Sequence, residues 1–99
     1  HDAMEQIQVM LDRCRSMVAL SLLSLSELDV DAGREIKKKD DVVDDDYDRL
    51  FDLLVQTPVS ESVEPTVLLV LVIRYLERIA DHATNIGRRV VFVVTGERH

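Results

Sequence analysis

The chain has 99 residues, 46% of them hydrophobic and 31% charged, with a formal net charge of −7. That length holds one domain with one modest core, because roughly two-thirds of the unfolded surface can be buried at this size, and the hydrophobic share excludes a disordered chain. The negative charge excludes a nucleic-acid binder, which needs a basic face for the phosphate backbone; Tyr47, Phe51, Tyr75 and Phe92 are the only aromatic residues, so the core is aliphatic, as in helical bundles.

The first predicted helix covers about residues 2–28. Met4, Ile7, Leu11, Cys14, Val18, Ser21, Leu25 and Leu28 alternate spacings of three and four, a heptad seam held for nearly four heptads. Cys14 is the single cysteine, so no internal disulfide can form, and its seam position predicts a small buried hydrophobe. Asp29-Val30-Asp31 offers caps for a restart.

The second predicted helix covers about 31–56, with the seam Ile36, Asp40, Val43, Tyr47, Leu50 and Leu54. Asp40 is the exception in an apolar row. A carboxylate there must lie at the bundle edge, find a partner, or bind a cation.

Pro58 and Pro65 bracket the next link, and Pro65 suits the first turn of a third helix capped by Ser62 or Glu64. That helix covers about 65–94, with Tyr75, Ile79, Ala83, Ile86, Val90 and Val93 as its seam and Gly96 as its stop. From Val67 to Ile73 it is apolar all round, which predicts burial on several sides; the run is too short to span a bilayer. Gly87, costing about 1 kcal/mol relative to Ala inside a helix, is expected to mark a close helix contact. With no basic, apolar leader at the start, a cytoplasmic location is expected. Short links make neighbours antiparallel, so the expected fold is all-α: one domain over 1–99, an up-down-up three-helix bundle of spectrin-like form.

Two acidic pairs have i, i+4 spacing. Asp40 and Asp44 share one turn of the second helix, Glu77 and Asp81 one turn of the third, and residues four apart lie on one face. The pairs are centred symmetrically about Ser60 and Glu61, so an antiparallel hairpin brings them level. Two readings fit. Four carboxylates at one level would repel without a counter-ion, and hard divalent cations, iron or zinc accept such oxygen ligands, with Asn85 and Asp48 able to extend the set. Alternatively, Arg74, Arg78 and Arg88 pair with Glu77 and Asp81 in an ordinary salt-bridged face. His82 sits at the edge of the seam. No Glu-x-x-His is present for a di-iron carboxylate enzyme, and His82 lacks the Lys and Gly neighbours expected of a phosphotransfer histidine.

The run Tyr75-Leu-Glu-Arg-Ile-Ala-Asp-His-Ala-Thr-Asn-Ile86 closely resembles the signature of the PhoU family, the phosphate-uptake regulators, with Ala80 where Gly is common. Lys39-Asp-Asp-Val-Val-Asp-Asp-Asp-Tyr47 resembles the family's other D-x-x-x-D motif, and Val90-Val-Phe-Val-Val-Thr-Gly-Glu97 resembles the close of a repeat. The resemblance implies a three-helix, non-enzymatic regulatory domain with a surface metal site on Asp40, Asp44, Glu77 and Asp81, holding iron or zinc foremost, with manganese or magnesium also suited. It implies contact with the ATPase subunit of a phosphate-specific ABC transporter and with a sensor histidine kinase, without membrane insertion. Members typically carry two such repeats; this chain holds one, most like the C-terminal repeat. The expectation is that it is a piece of a longer protein or that two copies pair into a six-helix dimer. A metal-free helical interaction or dimerisation module, such as the regulatory domain of a larger transporter, is the other function consistent with the fold.

Overall fold

A computed structural model describes residues 2–56 and 64–97. Three α-helices follow one another: α1 (Asp2–Glu27), α2 (Val30–Gln56) and α3 (Glu64–Thr95). They pack side by side into a rod of 54 × 20 × 17 Å. All three pairs of helices touch, as an up-down-up bundle requires. Each helix begins and ends within one residue of the span that the heptads predict. Pro58 and Ser62 lie outside the described residues.

The α1–α2 joint is made by capping. Leu28 adopts a left-handed backbone with φ 50°, and the Asp29 amide donates back to the Ser24 carbonyl at 3.0 Å. Asp29 then caps α2: its Oδ1 accepts from the Ala32 amide at 3.1 Å, satisfying one of the orphan donors of a helix start. At the other end of the chain, Gly96 has φ 76° and closes α3 by donating from its amide to the Phe92 carbonyl at 2.8 Å.

The core runs the length of the rod. Met10, Met17, Ile36, Val43, Leu50 and Ile73 are fully enclosed, each contributing about 1.5–3 kcal/mol of transfer free energy. The predicted seam of α2 is the observed one: Ile36, Asp40, Val43, Leu50 and Leu54 are buried and Tyr47 is half-buried.

The seams of α1 and α3 need correction. On α1 the buried row is Ala3, Ile7, Met10, Cys14, Met17, Ser21 and Ser24. Met4, Val18, Leu25 and Leu28 are exposed and Leu11 is half-buried. On α3 the buried row is Ile73, Leu76, Ala80, Ala83, Thr84, Val90 and Val91, whereas Tyr75, Ile79, Ile86 and Val93 are exposed. The expected enclosure of residues 67–73 is also not found: Val67, Leu68, Leu71 and Val72 are exposed, and within that run only Ile73 is buried. The physical reason is common to both helices. Their apolar stripes are wider than a three-helix core can cover. One edge of each stripe enters the core, and the other lines an open apolar face between α1 and α3.

Gly33 on α2 and Gly87 on α3 are packed backbone to backbone, as expected for Gly87. A Cβ on either residue would lie 2.9 Å from the other's carbonyl oxygen. Only glycine permits that approach.

Candidate metal centre

The α2–α3 pair places the four predicted carboxylates together. Asp40 and Asp44 come from successive turns of α2, Glu77 and Asp81 from successive turns of α3. One carboxylate oxygen from each of Asp40, Asp44 and Asp81 lies within 4.8 Å of the others. Glu77 lies close enough to feel the charges of Asp44 and Asp81. Asp81 is exposed, Asp44 and Glu77 are half-buried, and Asp40 retains only 7% of its surface.

Burial and crowding act in one direction. The Asp40 carboxyl is raised above its ordinary range, first by burial and then by the charges of Asp44 and Asp81; the charge of Lys37 opposes this. Asp44 is raised by burial and by Asp81. Glu77 is raised by burial, then by Asp44 and Asp81. Loss of solvation and like charges both disfavour the ionised form.

Among the described residues, direct compensation of the cluster by ion pairs is missing, and one buried oxygen of Asp40 has no hydrogen bond. Among the described residues, the ion pairs of lysine and arginine go to Asp12, Glu35, Asp41, Asp46 and Glu97, and none reaches Asp40, Asp44, Glu77 or Asp81. The salt-bridged face offered by Arg74, Arg78 and Arg88 therefore does not form. Oδ1 of Asp40 is buried with no hydrogen-bond partner, a costly condition for a carboxylate oxygen. Thr84 lies beside Asp40, yet its Oγ1 donates to the Ala80 carbonyl at 2.9 Å, and a hydroxyl has one proton to give.

The donor set suits a hard or borderline cation. All four side chains offer carboxylate oxygens, the ligands of magnesium, manganese and calcium and accepted by iron and zinc. Metal–oxygen bonds of about 2.0–2.6 Å put opposite ligands about 4–5 Å apart, and the three aspartate oxygens lie within 4.8 Å of one another. Asp48, the predicted extension on α2, acts on both Asp44 and Glu77 through its charge. Asn85 lines the apolar α1–α3 groove together with Leu25, His82 and Ile86. His82 is exposed there, not tucked against the core.

A second buried acid went unread in the sequence. Asp46 lies on the opposite flank of α2, with its side chain 5% exposed, and holds Arg13 of α1 at 2.5 Å and Arg49 at 2.7 Å. The Arg49 spacing of three was visible; the partner across the helix interface was not. Here the buried charge is compensated, which sets off the uncompensated group at Asp40. Cys14 sits between these flanks, its Sγ donating to the Leu76 carbonyl at 3.3 Å. Burial, then Asp46 and Asp40, push its thiol up to about 11, so it stays protonated and unreactive near neutral pH.

The PhoU domain family model matches residues 7–90. The chain is 50% identical over 99 residues to a phosphate-specific transport system accessory protein PhoU homolog of Synechocystis, covering 99% of this chain and 44% of the relative. The corresponding homolog of Clostridium acetobutylicum is 32% identical over 100 residues, again 99% of this chain and 46% of the relative. A homolog of Mycobacterium tuberculosis is 37% identical over 68 residues, 69% of this chain and 32% of the relative. No solved structure matches. The chain thus spans less than half the length of these curated relatives. With the family model covering most of its residues and a relative half identical along its whole length, the chain belongs to the PhoU family.

Proposed function

We propose that this domain is a metal-binding regulatory module of phosphate uptake, with Asp40, Asp44, Glu77 and Asp81 as ligands. The observation that carries the metal reading is the uncompensated carboxylate cluster, in which a buried oxygen of Asp40 has no partner. The family resemblance favours iron or zinc, and the all-carboxylate donor set also suits manganese or magnesium. When bound, the ion would supply positive charge that ties α2 to α3. The domain's residues hold the ion and set the spacing of the two helices. No catalytic role is assigned to them.

Family membership and the relatives' description as transport system accessory proteins support the regulatory role. The partners proposed are the ATPase subunit of a phosphate-specific ABC transporter and a sensor histidine kinase, met on the cytoplasmic side. Among the described residues, no helix is long and apolar enough to cross a membrane. The exposed acidic residues of α2, Asp41, Asp45, Asp48 and Asp52, suit a basic partner surface, so binding should weaken as salt rises.

The open α1–α3 face is proposed to receive another three-helix unit. Val18, Leu22 and Leu25 of α1 and Tyr75, Ile79 and Ile86 of α3 are exposed along it, and contiguous apolar surface of this kind marks an interaction site. For the chain as it stands the partner is a second copy, giving a six-helix homodimer. Elemental analysis of the purified chain tests the metal reading, and sedimentation tests the dimer. Metal-free wild type, or a monomer at high micromolar concentration, would overturn the respective part.

A further inference from the structure

We infer that the Gly33–Gly87 contact sets the size of cation that the carboxylate cluster accepts, an inference that rests on the metal reading above. Gly33 and Asp40 are seven residues apart on α2, two turns along one face, so they look toward α3 together. On α3, Gly87 lies six residues beyond Asp81, about 9 Å along the axis. Between these glycines and the carboxylates neither helix contains a proline or a further glycine, so each segment moves as a stiff unit.

The contact is made by main chain, which cannot swing aside. A Cβ at Gly33 would lie 2.9 Å from the Gly87 oxygen and 3.1 Å from Cγ2 of Val91; a Cβ at Gly87 would lie 2.9 Å from the Gly33 oxygen and 3.0 Å from Cδ1 of Ile36. Restoring ordinary contact needs about half an ångström of helix separation. That displacement matches the difference between cations. Metal–oxygen bonds are about 2.0–2.1 Å for magnesium and 2.3–2.6 Å for calcium. Because the ligands come from both helices, separating α2 from α3 widens the cluster directly. Glycine at both positions therefore holds the cluster at the span of a small ion, and a methyl group at either would favour a larger one.

The test uses metal-free wild type, Gly87→Ala, Gly33→Ala, and the α1 core variant Met10→Ala as a stability control. Manganese and calcium are each titrated against an indicator dye, and thermal melts in chelator show which proteins are folded. The expected result is a fall of about tenfold or more in the manganese-over-calcium affinity ratio for the glycine variants, the scale of effects on groups that orient metal ligands. Met10→Ala should keep the wild-type ratio while losing stability. If Gly87→Ala melts below the assay temperature, Gly33→Ala carries the test from the other helix. Folded glycine variants with a ratio within about twofold of wild type would overturn the inference and leave the metal site standing. Wild type that binds neither ion, or binds them equally well after Asp40→Ala/Asp81→Ala, would remove the metal reading and this inference with it.

Discussion

Asp44 on α2 and Glu77 on α3 face each other across the helix interface, and burial and then the charge of Asp44 raise the Glu77 carboxyl. Without a cation, loss of solvation and like charge both favour the protonated forms here. A cation at this level would supply the positive charge that these carboxyl groups lack.

A pH dependence of unusual sign follows for the metal-free protein. Asp40, Asp44 and Glu77 are all raised in the folded chain, so between the ordinary carboxyl range and their raised values the folded state binds more protons than the unfolded state. Stability then falls as pH rises through that window. Thermal melts in chelator from weakly acidic to neutral pH should show a declining midpoint, and Asp44→Asn/Glu77→Gln should flatten the slope. A midpoint that climbs over the same range in the wild type and not in the double variant would contradict the raised carboxyls at Asp44 and Glu77.

Asp40→Asn should separate folding from binding. The amide removes a buried charge beside Asp44 and Asp81, so the metal-free protein should gain about 1 kcal/mol. Metal affinity should fall by about 10- to 100-fold, as for loss of a well-oriented group at a metal site. Chemical denaturation in chelator and dye-based metal titration read the two effects. A parallel loss of both would identify Asp40 as an ordinary structural carboxylate.

Asp46 makes the opposite case. Its carboxylate is buried but paired with Arg13 and Arg49. Asp46→Ala should cost about 1–3 kcal/mol; the loss is restrained because both arginines retain access to water, with 41% and 64% of their side chains exposed. Metal affinity should be unchanged within about twofold, since the residue lies on the α1-facing flank of α2. A large drop in affinity without loss of stability would place Asp46 in the wrong network.

The sequence was most legible where a helix has a single buried face. The α2 row of Ile36, Asp40, Val43, Leu50 and Leu54 could be read directly, including its one carboxylate, and hairpin symmetry brought the two acidic pairs level. On α1 and α3 the heptad count found rows centred on the border between core and open face, and so chose Val18 over Met17 and Ile79 over Ala80. Periodicity measures the whole apolar stripe and cannot say which edge is covered. It also undervalues the small residues Ser24, Ala80 and Thr84, which are buried. The ion pair of Arg13 with Asp46 depends on a contact between residues 33 apart, which no local spacing reveals.

The open face itself can be tested. Leu22→Asp and Ile79→Asp change residues that are 56% and 42% exposed in the isolated bundle, so neither should cost the monomer more than about 0.5 kcal/mol. Each should shift a self-associated chain to monomer in sedimentation velocity runs, whereas Asp45→Ala, on the exposed acidic face of α2, should not. Unchanged association in both aspartate variants would move the dimer interface elsewhere.

The most direct measurement is metal content. The chain is purified without an affinity tag and assayed by elemental analysis, then titrated with iron, zinc and manganese alongside Asp40→Ala/Asp81→Ala. The account predicts bound metal in the wild type that is lost in the double variant, together with a higher melting temperature on metal addition to the wild type alone. Wild type free of metal, or metal retained undiminished by the double variant, would contradict it and leave Asp40, Asp44, Glu77 and Asp81 as an acidic face without an ion.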